Sequence, residues 1–301
     1  MVYFDNKIIT LNSAYGSKQN GTLSSFVLFN FQGLLKEETH ILRTYVSVIN
    51  AQFPVSFYTI NATNNTLTYI YNLYSLVTKN TITIASGNYN ATSLITAIIN
   101  AFSVAAVVMT ITINKLTGKL TFTAAFADYS FYSSSKSIMT VLGFNSSSAF
   151  SSSYILNAPF PLNLLGIKVI SIKSSNLAIS AYTSETLGFS NTLATISIDV
   201  PSFNLVSYVS NNDLDKHILR VKHVDAIDIS LTDENENLID FNNIDWTLTL
   251  CISIEREDLA INNLDLHEVV RNSSETIVPP ILPPPEKELT QNEKDLNLLS
   301  K

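Results

Sequence analysis

Most of the chain alternates apolar and polar residues in short runs, the pattern of β-strands with one buried face. Two such runs precede position 54, at residues 23–31 and 39–53. Six more begin after residue 163, and their content of Ile, Val and Thr favours strands over helices. These six runs are residues 164–173, 176–182, 192–200, 203–209, 217–233 and 245–255.

Eight strands outside the interval from Pro54 to Pro161 match the strand number of a jelly roll, in which two antiparallel sheets pack face to face. The sequence therefore predicts an all-β fold: a single jelly roll with an inserted small α+β module and a proline-rich C-terminal tail. The alternative is one continuous sandwich that uses some of the inner hairpins. The predicted divisions are an N-terminal arm at 1–22, the jelly-roll core at 23–53 and 159–257, the α+β insertion domain at 54–158, and a tail, partly disordered, at 258–301.

Within the interval, residues 86–102 read "SGNYNATSLITAIINAF" and follow a strand-like run, so they raise the question of a phosphate-binding loop. Such a loop needs several glycines and usually a lysine. Only Gly87 is present, and no Lys or Arg lies between residues 80 and 102. We therefore predict a structural helix, capped by Asn88 or Asn90. Its buried stripe would be formed by Leu94, Ile95, Ile98, Ile99 and Phe102.

Two turns are also predicted inside the interval. Residues 107–126 alternate on both sides of "NKLTGK", which predicts a hairpin with Gly118 in its turn. Residues 137–144, "SIMTVLGF", predict a short helical turn that ends at Gly143. Both turns belong to a scaffold and carry no chemistry of their own.

Charge is sparse, and this limits the classes of partner. Charged residues make up 14% of the 301 residues, hydrophobic residues 46%, and the net charge is −7. The 18 Lys and Arg residues form no cluster, which argues against nucleic-acid binding. The beginning of the chain lacks the pattern of a signal peptide or anchor, and no apolar run approaches ~20 residues, so no membrane span is expected. A surface with few charges can be covered by another protein at little desolvation cost, which favours assembly.

The spacing of the histidines and the single cysteine does not predict a metal site or a catalytic group. His217 and His223 flank "ILRVK" on one strand and would lie ~20 Å apart, which is too far for a shared metal. His223 could pair with Asp225, but no nucleophile motif accompanies them. Cys251 is the only cysteine, so it can form no intrachain disulfide, and its strand-like surroundings indicate an inert buried thiol.

The segment "LTDENENLIDFNNIDW" resembles a calcium loop at its first positions, Asp233, Asn235 and Asn237. The glycine and the glutamate that such a loop requires are replaced by Leu238 and Ile244, so a hairpin turn explains the segment better. We thus predict no catalytic, cofactor-binding or metal-binding residues, no cofactor, and no enzymatic activity.

Five phrases of the sequence each describe a turn, a cap or a hairpin, and they occur in a distinctive order. They are "FPVSFYTINATNN", "SGNYNATSLI", "NKLTGKLTF", "TVLGF" and "DENENLIDFNNIDWTLTL". In this order they resemble the penton (minor capsid) proteins of virophages and polinton-like viruses. The likeness runs over about residues 23–257 and does not include the tail.

The resemblance implies a structural capsid protein of an icosahedral virion, assembled in the infected host cell. It implies a homo-pentamer at the vertices, beside capsomers of a double-jelly-roll major capsid protein, and it transfers no catalytic residue. The proline-rich tail would then be an arm toward a neighbouring capsomer or an internal virion protein, or else a disordered end. Two other classes stay open: a receptor-binding or fibre-tip β protein, usually trimeric, and a carbohydrate-binding or hydrolytic jelly roll, which the single tryptophan, Trp246, disfavours.

Overall fold

The structure is a computed structural model of the chain. The tail that the sequence predicts after residue 257 lies outside the residues that it describes. These are 2–21, 23–35, 41–72, 79–126, 128–145, 149–152, 154–177, 181–183, 188–210, 215–219 and 224–257.

The described residues are mostly β-strand, with one α-helix, α1 (Ala91–Val104), and a 3-10 turn at Ser13–Tyr15. The strands are β1 (Val2–Asn12), β2 (Ser17–Asn20), β3 (Leu23–Leu35), β4 (Ile41–Pro54), β5 (Thr66–Asn72), β6 (Lys79–Thr83), β7 (Met109–Ile113), β8 (Lys119–Ala124), β9 (Asp128–Tyr132), β10 (Phe150–Ser152), β11 (Ile155–Pro161), β12 (Val169–Lys173), β13 (Ala181–Thr183), β14 (Gly188–Ser190), β15 (Thr192–Ser197), β16 (Leu205–Val209), β17 (His217–Leu219), β18 (Val224–Thr232) and β19 (Thr247–Glu257).

Two five-stranded antiparallel sheets form a jelly roll. The first sheet has the order β1-β19-β4-β16, with β17 also paired to β4, and the second has the order β15-β12-β18-β3-β2. Because β16 and β17 pair with successive parts of β4, they act as one interrupted strand. If the long strands are counted along the chain, the first sheet holds strands 1-8-3-6 and the second holds 5-4-7-2. This is the strand order of a jelly roll, so the predicted all-β class is confirmed.

The inner faces of these two sheets share one hydrophobic core. At its centre lies Trp246, which is 1% exposed and packs against the rings of Phe29 and Phe53 at 6.2 and 6.1 Å. Its indole Nε1–H donates to the Ser24 carbonyl at 2.6 Å, and its backbone N–H donates to the Ser13 hydroxyl at 3.0 Å. The polar edge of the only tryptophan is thus satisfied, which makes its full burial favourable.

The eight long strands of the jelly roll are not the same eight strands that the sequence predicts. Residues 2–12, predicted as part of an arm, form the edge strand β1 of the first sheet, where Ile9 and Leu11 are buried. The predicted run 217–233 divides into β17 and β18, which lie in different sheets. From the predicted run 176–182, the described residues 181 and 182 belong to β13, which pairs only with β14.

The strands between β4 and β12 form sheets of their own, with the orders β10-β9-β5-β6 and β11-β8-β7. They surround a second core that includes α1, so the alternative of one continuous sandwich is wrong. Aromatic rings fill this core: Phe131 stands edge-on to Phe122 at 5.1 Å and to Phe144 at 5.8 Å. We call residues 55–168 the inserted module.

The helix and turns predicted for the inserted module are confirmed. Asn90 caps α1 through a capping box with Ser93. Of the predicted stripe, Leu94, Ile98 and Phe102 are buried, whereas Ile95 and Ile99 flank them and are only partly buried. Gly118, with φ +67°, allows the turn between β7 and β8.

Gly143, with φ +85°, ends the turn predicted at 137–144. A Cβ at this position would lie 2.1 Å from the Phe160 carbonyl oxygen, so only glycine fits.

The inserted module leaves the sandwich at one end of its first sheet. Pro54, at the end of β4, is paired with Leu205. The other end of β4, at Ile41, is paired with Arg256, and Arg256 forms an ion pair with Asp5 at 3.5 Å. The module therefore begins at the end of the sandwich opposite to the end at which Asp5 and Arg256 lie.

Candidate assembly face and structural polar sites

The outer face of the first sheet carries a nearly uncharged surface. Strand register sets the side chains of β19 and β4 opposite each other across this face, with Thr249 beside Asn50 and Thr247 beside Gln52. On β16, Ser207 lies opposite Gln52 in turn. Hydroxyl and amide groups thus make up the middle of the face, as the Ser-, Thr- and Asn-rich composition predicts.

Apolar side chains stand among these neutral groups. They come from the edge strand β1, from β16 and from β17, and each is about half exposed or more. A row of such side chains across one sheet is unlike single exposed apolar residues scattered over a surface. Their exposed fractions are 57% for Phe4, 68% for Ile8, 51% for Leu205, 57% for Val209 and 44% for Ile218.

Among the described residues of these strands, the charged side chains on this face lie at one end. Arg43 lies directly opposite Glu255 in the register of β4 and β19. The Tyr45 hydroxyl donates to the Glu255 carboxylate at 3.2 Å, and the Tyr45 ring lies 6.5 Å from that of Phe4. The remainder of the face can therefore be covered without the removal of water from a charged group. We refer to this surface, from Phe4 and Ile8 across to Leu205, Val209 and Ile218, as the candidate assembly face.

Sequence reasoning missed part of this face because it did not assign β1 as a strand. The signal was present: Phe4 and Ile8 lie an even number of residues apart, so on a strand they share one face, while Ile9 and Leu11 share the other.

Asp228 is the most conspicuous buried acid among the described residues, and its surroundings are structural. Its carboxylate accepts hydrogen bonds from the hydroxyls of Ser174 and Ser175 and from the backbone N–H groups of Ser175 and Asn176, at 2.6 to 3.0 Å. Burial by itself would raise the pKa of Asp228, but these hydrogen bonds favour the ionised form and hold the pKa below its usual value. The carboxylate fixes the turn after β12 and has no open side toward a substrate.

The loop that resembles a calcium site uses its oxygens internally. Asp233 Oδ1 accepts hydrogen bonds from the backbone N–H groups of Asn235 and Asn237, both at 2.8 Å. Glu236, in the left-handed region at φ +64°, turns back to form an ion pair with Lys173. Asp233 thus forms an Asx turn, closed by an antiparallel bridge between Thr232 and Leu238. The predicted hairpin between the last two long strands is wrong, because β18 and β19 lie in different sheets and the segment crosses from one sheet to the other.

The other residues considered from the sequence do not come together. His217 Nε2 lies 2.8 Å from the Leu193 carbonyl oxygen. The prediction that Cys251 is buried is wrong: its side chain is half-buried on the outer face of the first sheet, 3.6 Å from the Ser253 hydroxyl. The predicted pairing of His223 with Asp225 involves a residue outside the described part of the chain. Among the described residues, no group of three or more His, Cys, Asp or Glu side chains could hold a metal ion. Nor does any helix in that part of the chain have the length and apolar character needed to cross a bilayer.

An apolar groove of about 390 Å³ lies where the inserted module meets the sandwich. Val55, Phe57, Ile167 and Val200 contribute its apolar lining, and Lys168 is its one charged residue. The hydroxyls of Thr59 and Ser202 also line the groove, but its lining holds no carboxylate or imidazole that could act as their general base.

These observations define the class of the protein as a jelly-roll β protein with an inserted module and an uncharged sheet face. Comparison of the sequence with protein-family models and with curated proteins gives no match. Among solved structures, the chain is similar to the crystal structure of the mavirus penton protein, with a TM-score of 0.45, 11% identity, and coverage of 84% of this chain and 99% of that chain. It is also similar to a chain of the Sputnik virophage structure from cryo-EM, with a TM-score of 0.36, 12% identity, and coverage of 86% and 99%.

Proposed function

We propose that this protein is a structural capsid protein that assembles as a pentamer and forms the vertex capsomer of an icosahedral virion. Its partners are then four further copies of itself and a double-jelly-roll major capsid protein. The role is architectural, with neither a cofactor nor a catalytic step.

The candidate assembly face is the observation that carries this proposal. A closed ring uses heterologous contacts, in which one face of each subunit meets a different face of the next. The neutral groups around Asn50 and Thr249 can form hydrogen bonds across such a contact, and Ile8 and Val209 supply apolar area for it. Repetition around the ring strengthens each contact, because closing the ring makes the last association intramolecular.

The placement of the inserted module supports an upright subunit. The module begins at the Pro54 end of the sandwich, and the ion pair between Asp5 and Arg256 lies at the other end. In the proposed capsomer, the Asp5 end faces the shell base and the module projects outward. The sides of the sandwich, including the candidate assembly face, are then lateral.

We also propose the domain division that the sequence predicts, with one change. The separate cores of the sandwich and of residues 55–168 support an insertion domain within a split jelly roll. The pairing of β1 with β19 extends the jelly-roll domain to residue 2. The tail after residue 257 keeps its proposed role as an arm toward a neighbouring capsomer or an internal protein.

The test is the assembly state of the full-length chain, with and without the major capsid protein, by native mass measurement and negative-stain microscopy. We expect particles of five copies. Val209→Asp would place a charge among the apolar side chains at the β16 side of the candidate assembly face and weaken assembly by at least about tenfold, because an unpaired carboxylate would be buried in the contact.

Leu116→Asp is the matched control, since Leu116 is 94% exposed in the turn between β7 and β8. It should assemble as the wild type does. Trimers would favour the receptor-binding alternative, and a chain that stays monomeric even with the major capsid protein would contradict the proposal.

A further inference from the structure

One end of the inserted module carries a second apolar surface, built by three separate segments. They are the end of α1 and the turn into β7, the residues after β8, and the start of β11. The Ala125 N–H donates to the Val108 carbonyl at 3.1 Å, and the Ala124 N–H donates to the Tyr154 carbonyl at 2.8 Å. These hydrogen bonds hold the three segments side by side.

Large side chains on these segments point into solvent. We call them the distal apolar patch, because they lie at the ends of β8 and β11 remote from Pro161, after which the chain returns to the sandwich. The distance along β11 is ~20 Å at the usual rise per residue. The exposed fractions are 90% for Val104, 56% for Val108, 68% for Phe126, 49% for Tyr154 and 56% for Ile155.

The patch carries no charge. Residues 103–108, 124–126 and 154–155 contain no Asp, Glu, Lys or Arg, and the exposed residues between the large side chains include Ala105, Ala106 and Ala125. Together the large side chains expose on the order of 600 Å², if one fully exposed large apolar side chain counts for about 200 Å². This equals the largest apolar patch of a typical monomer, and such patches usually mark an interaction site.

The chemistry of the patch indicates what covers it. It offers no charge for a charged partner and few hydrogen-bonding groups, so its best complement is another uncharged apolar surface. In a ring each patch is shared between two neighbours, so each contact between modules would bury about 600 Å² in total and would add to the larger contact between the sandwiches. The proposed ring places identical patches at one level around its axis, because every inserted module projects from the same end of its subunit.

We propose that the distal apolar patch is a contact between copies of this chain, in which the inserted modules of neighbouring subunits pack against each other around the ring axis. This inference rests on the proposed pentamer and adds a second ring of contacts, outward of the sandwich. Each patch has two neighbours around the axis, so Val108 and Phe126 of one copy contact the corresponding patch on either side.

The first experiment is crosslinking of the full-length chain in a Cys251→Ser background, which removes the only native thiol. Val108→Cys should give covalent dimers with a short bifunctional maleimide, because each chain then carries one thiol and each crosslinker joins two. Leu116→Cys, at the other end of β7, is the matched control and should give none. Crosslinking reports that two copies lie close together, so this experiment does not depend on a change in the stability of the chain.

The second experiment is the dissociation constant of the assembled chain, measured by sedimentation. The double variant Val104→Ser and Phe126→Ser should weaken assembly by at least about tenfold, because aromatic and aliphatic anchors at an interface centre carry most of its affinity. Leu116→Ser should change it by less than about twofold, and far-UV circular dichroism should show that both variants are folded.

Three outcomes would overturn the inference, and they separate its failure from that of the proposed function. Pentamers without crosslinks and with unchanged dissociation would leave the function standing and remove the patch contact. Flotation of the wild type, but not of Phe126→Ser, with phosphatidylcholine vesicles would assign the patch to lipid instead. A chain that forms no oligomer, even with the major capsid protein, would remove both.

Discussion

At the scale of single residues, the described polar groups that look reactive are already occupied by the fold. Asp228 is only 8% exposed, yet it stays ionised because four hydrogen bonds converge on its two carboxylate oxygens. Hydrogen bonds to an ionised acceptor are about twice as strong as neutral ones, so this cluster stabilises the turn between β12 and β13. A buried carboxylate is therefore structural here, and catalysis does not follow from its burial.

The pH dependence of this cluster can be predicted. The pKa of Asp228 is lower in the folded chain than in the unfolded chain, where it is ~3.9. The contribution of Asp228 to the free energy of unfolding is thus complete above pH ~4 and is lost as the pH falls through the folded-state pKa. Asp228→Asn should lower the free energy of unfolding at pH 7 by about 2 kcal/mol, because an amide N–H would then face the donors of Ser175.

Urea unfolding followed by the fluorescence of Trp246 measures this effect at pH 7 and at successively lower pH. The difference between the wild type and Asp228→Asn should shrink as the pH falls through the folded-state pKa of Asp228, because the wild-type carboxyl then becomes protonated too. Asp199→Asn, at an exposed position, is the control and should change the free energy of unfolding by less than about 0.5 kcal/mol. Equal values for wild type and Asp228→Asn at pH 7 would refute the structural role.

Residue-scale chemistry was only partly predictable from the sequence. The cap at Asn90 and the turn glycine Gly118 were found because their roles are local and their partners lie within a few residues. The Asp228 cluster was missed because its partners, Ser174 to Asn176, lie more than 50 residues away along the chain. Only the pairing of β12 with β18 brings them together.

At the scale of elements, α1 shows how a strand–glycine–helix phrase can serve packing alone. The N–H of Gly87 donates to the Ile60 carbonyl at 2.8 Å, so it is not available to an anion. Asn88 accepts a hydrogen bond from the Thr59 N–H at 2.8 Å, which ties the start of the module to the segment before α1. Asn90 Oδ1 accepts from the Ser93 N–H at 2.8 Å and caps the helix. The polar groups of this segment that could bind a phosphate thus form hydrogen bonds within the chain.

Removal of this cap should destabilise the helix by a predictable amount. Asn90→Ala should lower the free energy of unfolding of the inserted module by about 1 kcal/mol, because the N–H of Ser93 loses its acceptor. Asn90→Asp keeps an acceptor and adds a negative charge at the helix N-terminus, so it should be as stable as the wild type. Hydrogen exchange of residues 91–104 measures both. Equal loss of protection in the two variants would show that Asn90 acts by something other than capping.

Elements were harder to predict at the edges of the sheets than in their centres. The central strands β4 and β19 were recognised from their long alternating patterns. The edge strand β1 was missed because Asp5, Asn6 and Lys7 interrupt its pattern, which an edge strand tolerates when its other residues pack. Because β1 was not predicted, Phe4 and Ile8, which it supplies to the candidate assembly face, were not predicted either.

At the scale of the whole molecule, two cores are joined through the segments on either side of the inserted module. The fold class followed from counting strands, since strand number and turn spacing can be read from the sequence pattern. The candidate assembly face could not be predicted by counting strands, because it depends on which strands pair and on which residues then lie side by side on one face. The separation of the cores makes a physical prediction: each should lose stability independently when its own packing is damaged.

Matched cavities in the two cores test this independence. Phe122 and Phe53 are both fully buried, the first in the inserted module and the second beside Trp246 in the sandwich. Each Phe→Ala change should cost about 3–5 kcal/mol in its own core, from lost burial and the cavity left behind. Phe53→Ala should therefore lower the urea midpoint reported by Trp246 fluorescence.

Phe122→Ala should leave that midpoint unchanged and instead abolish hydrogen-exchange protection in β7 and β8. Tyr129→Phe is a milder control in the same module: it removes only the hydroxyl that donates to the Phe122 carbonyl at 2.8 Å, and it should cost about 1 kcal/mol. If Phe122→Ala shifted the Trp246 transition as far as Phe53→Ala does, the two cores would unfold as one cooperative unit. The inserted module would then be an extension of the jelly roll and not an insertion domain.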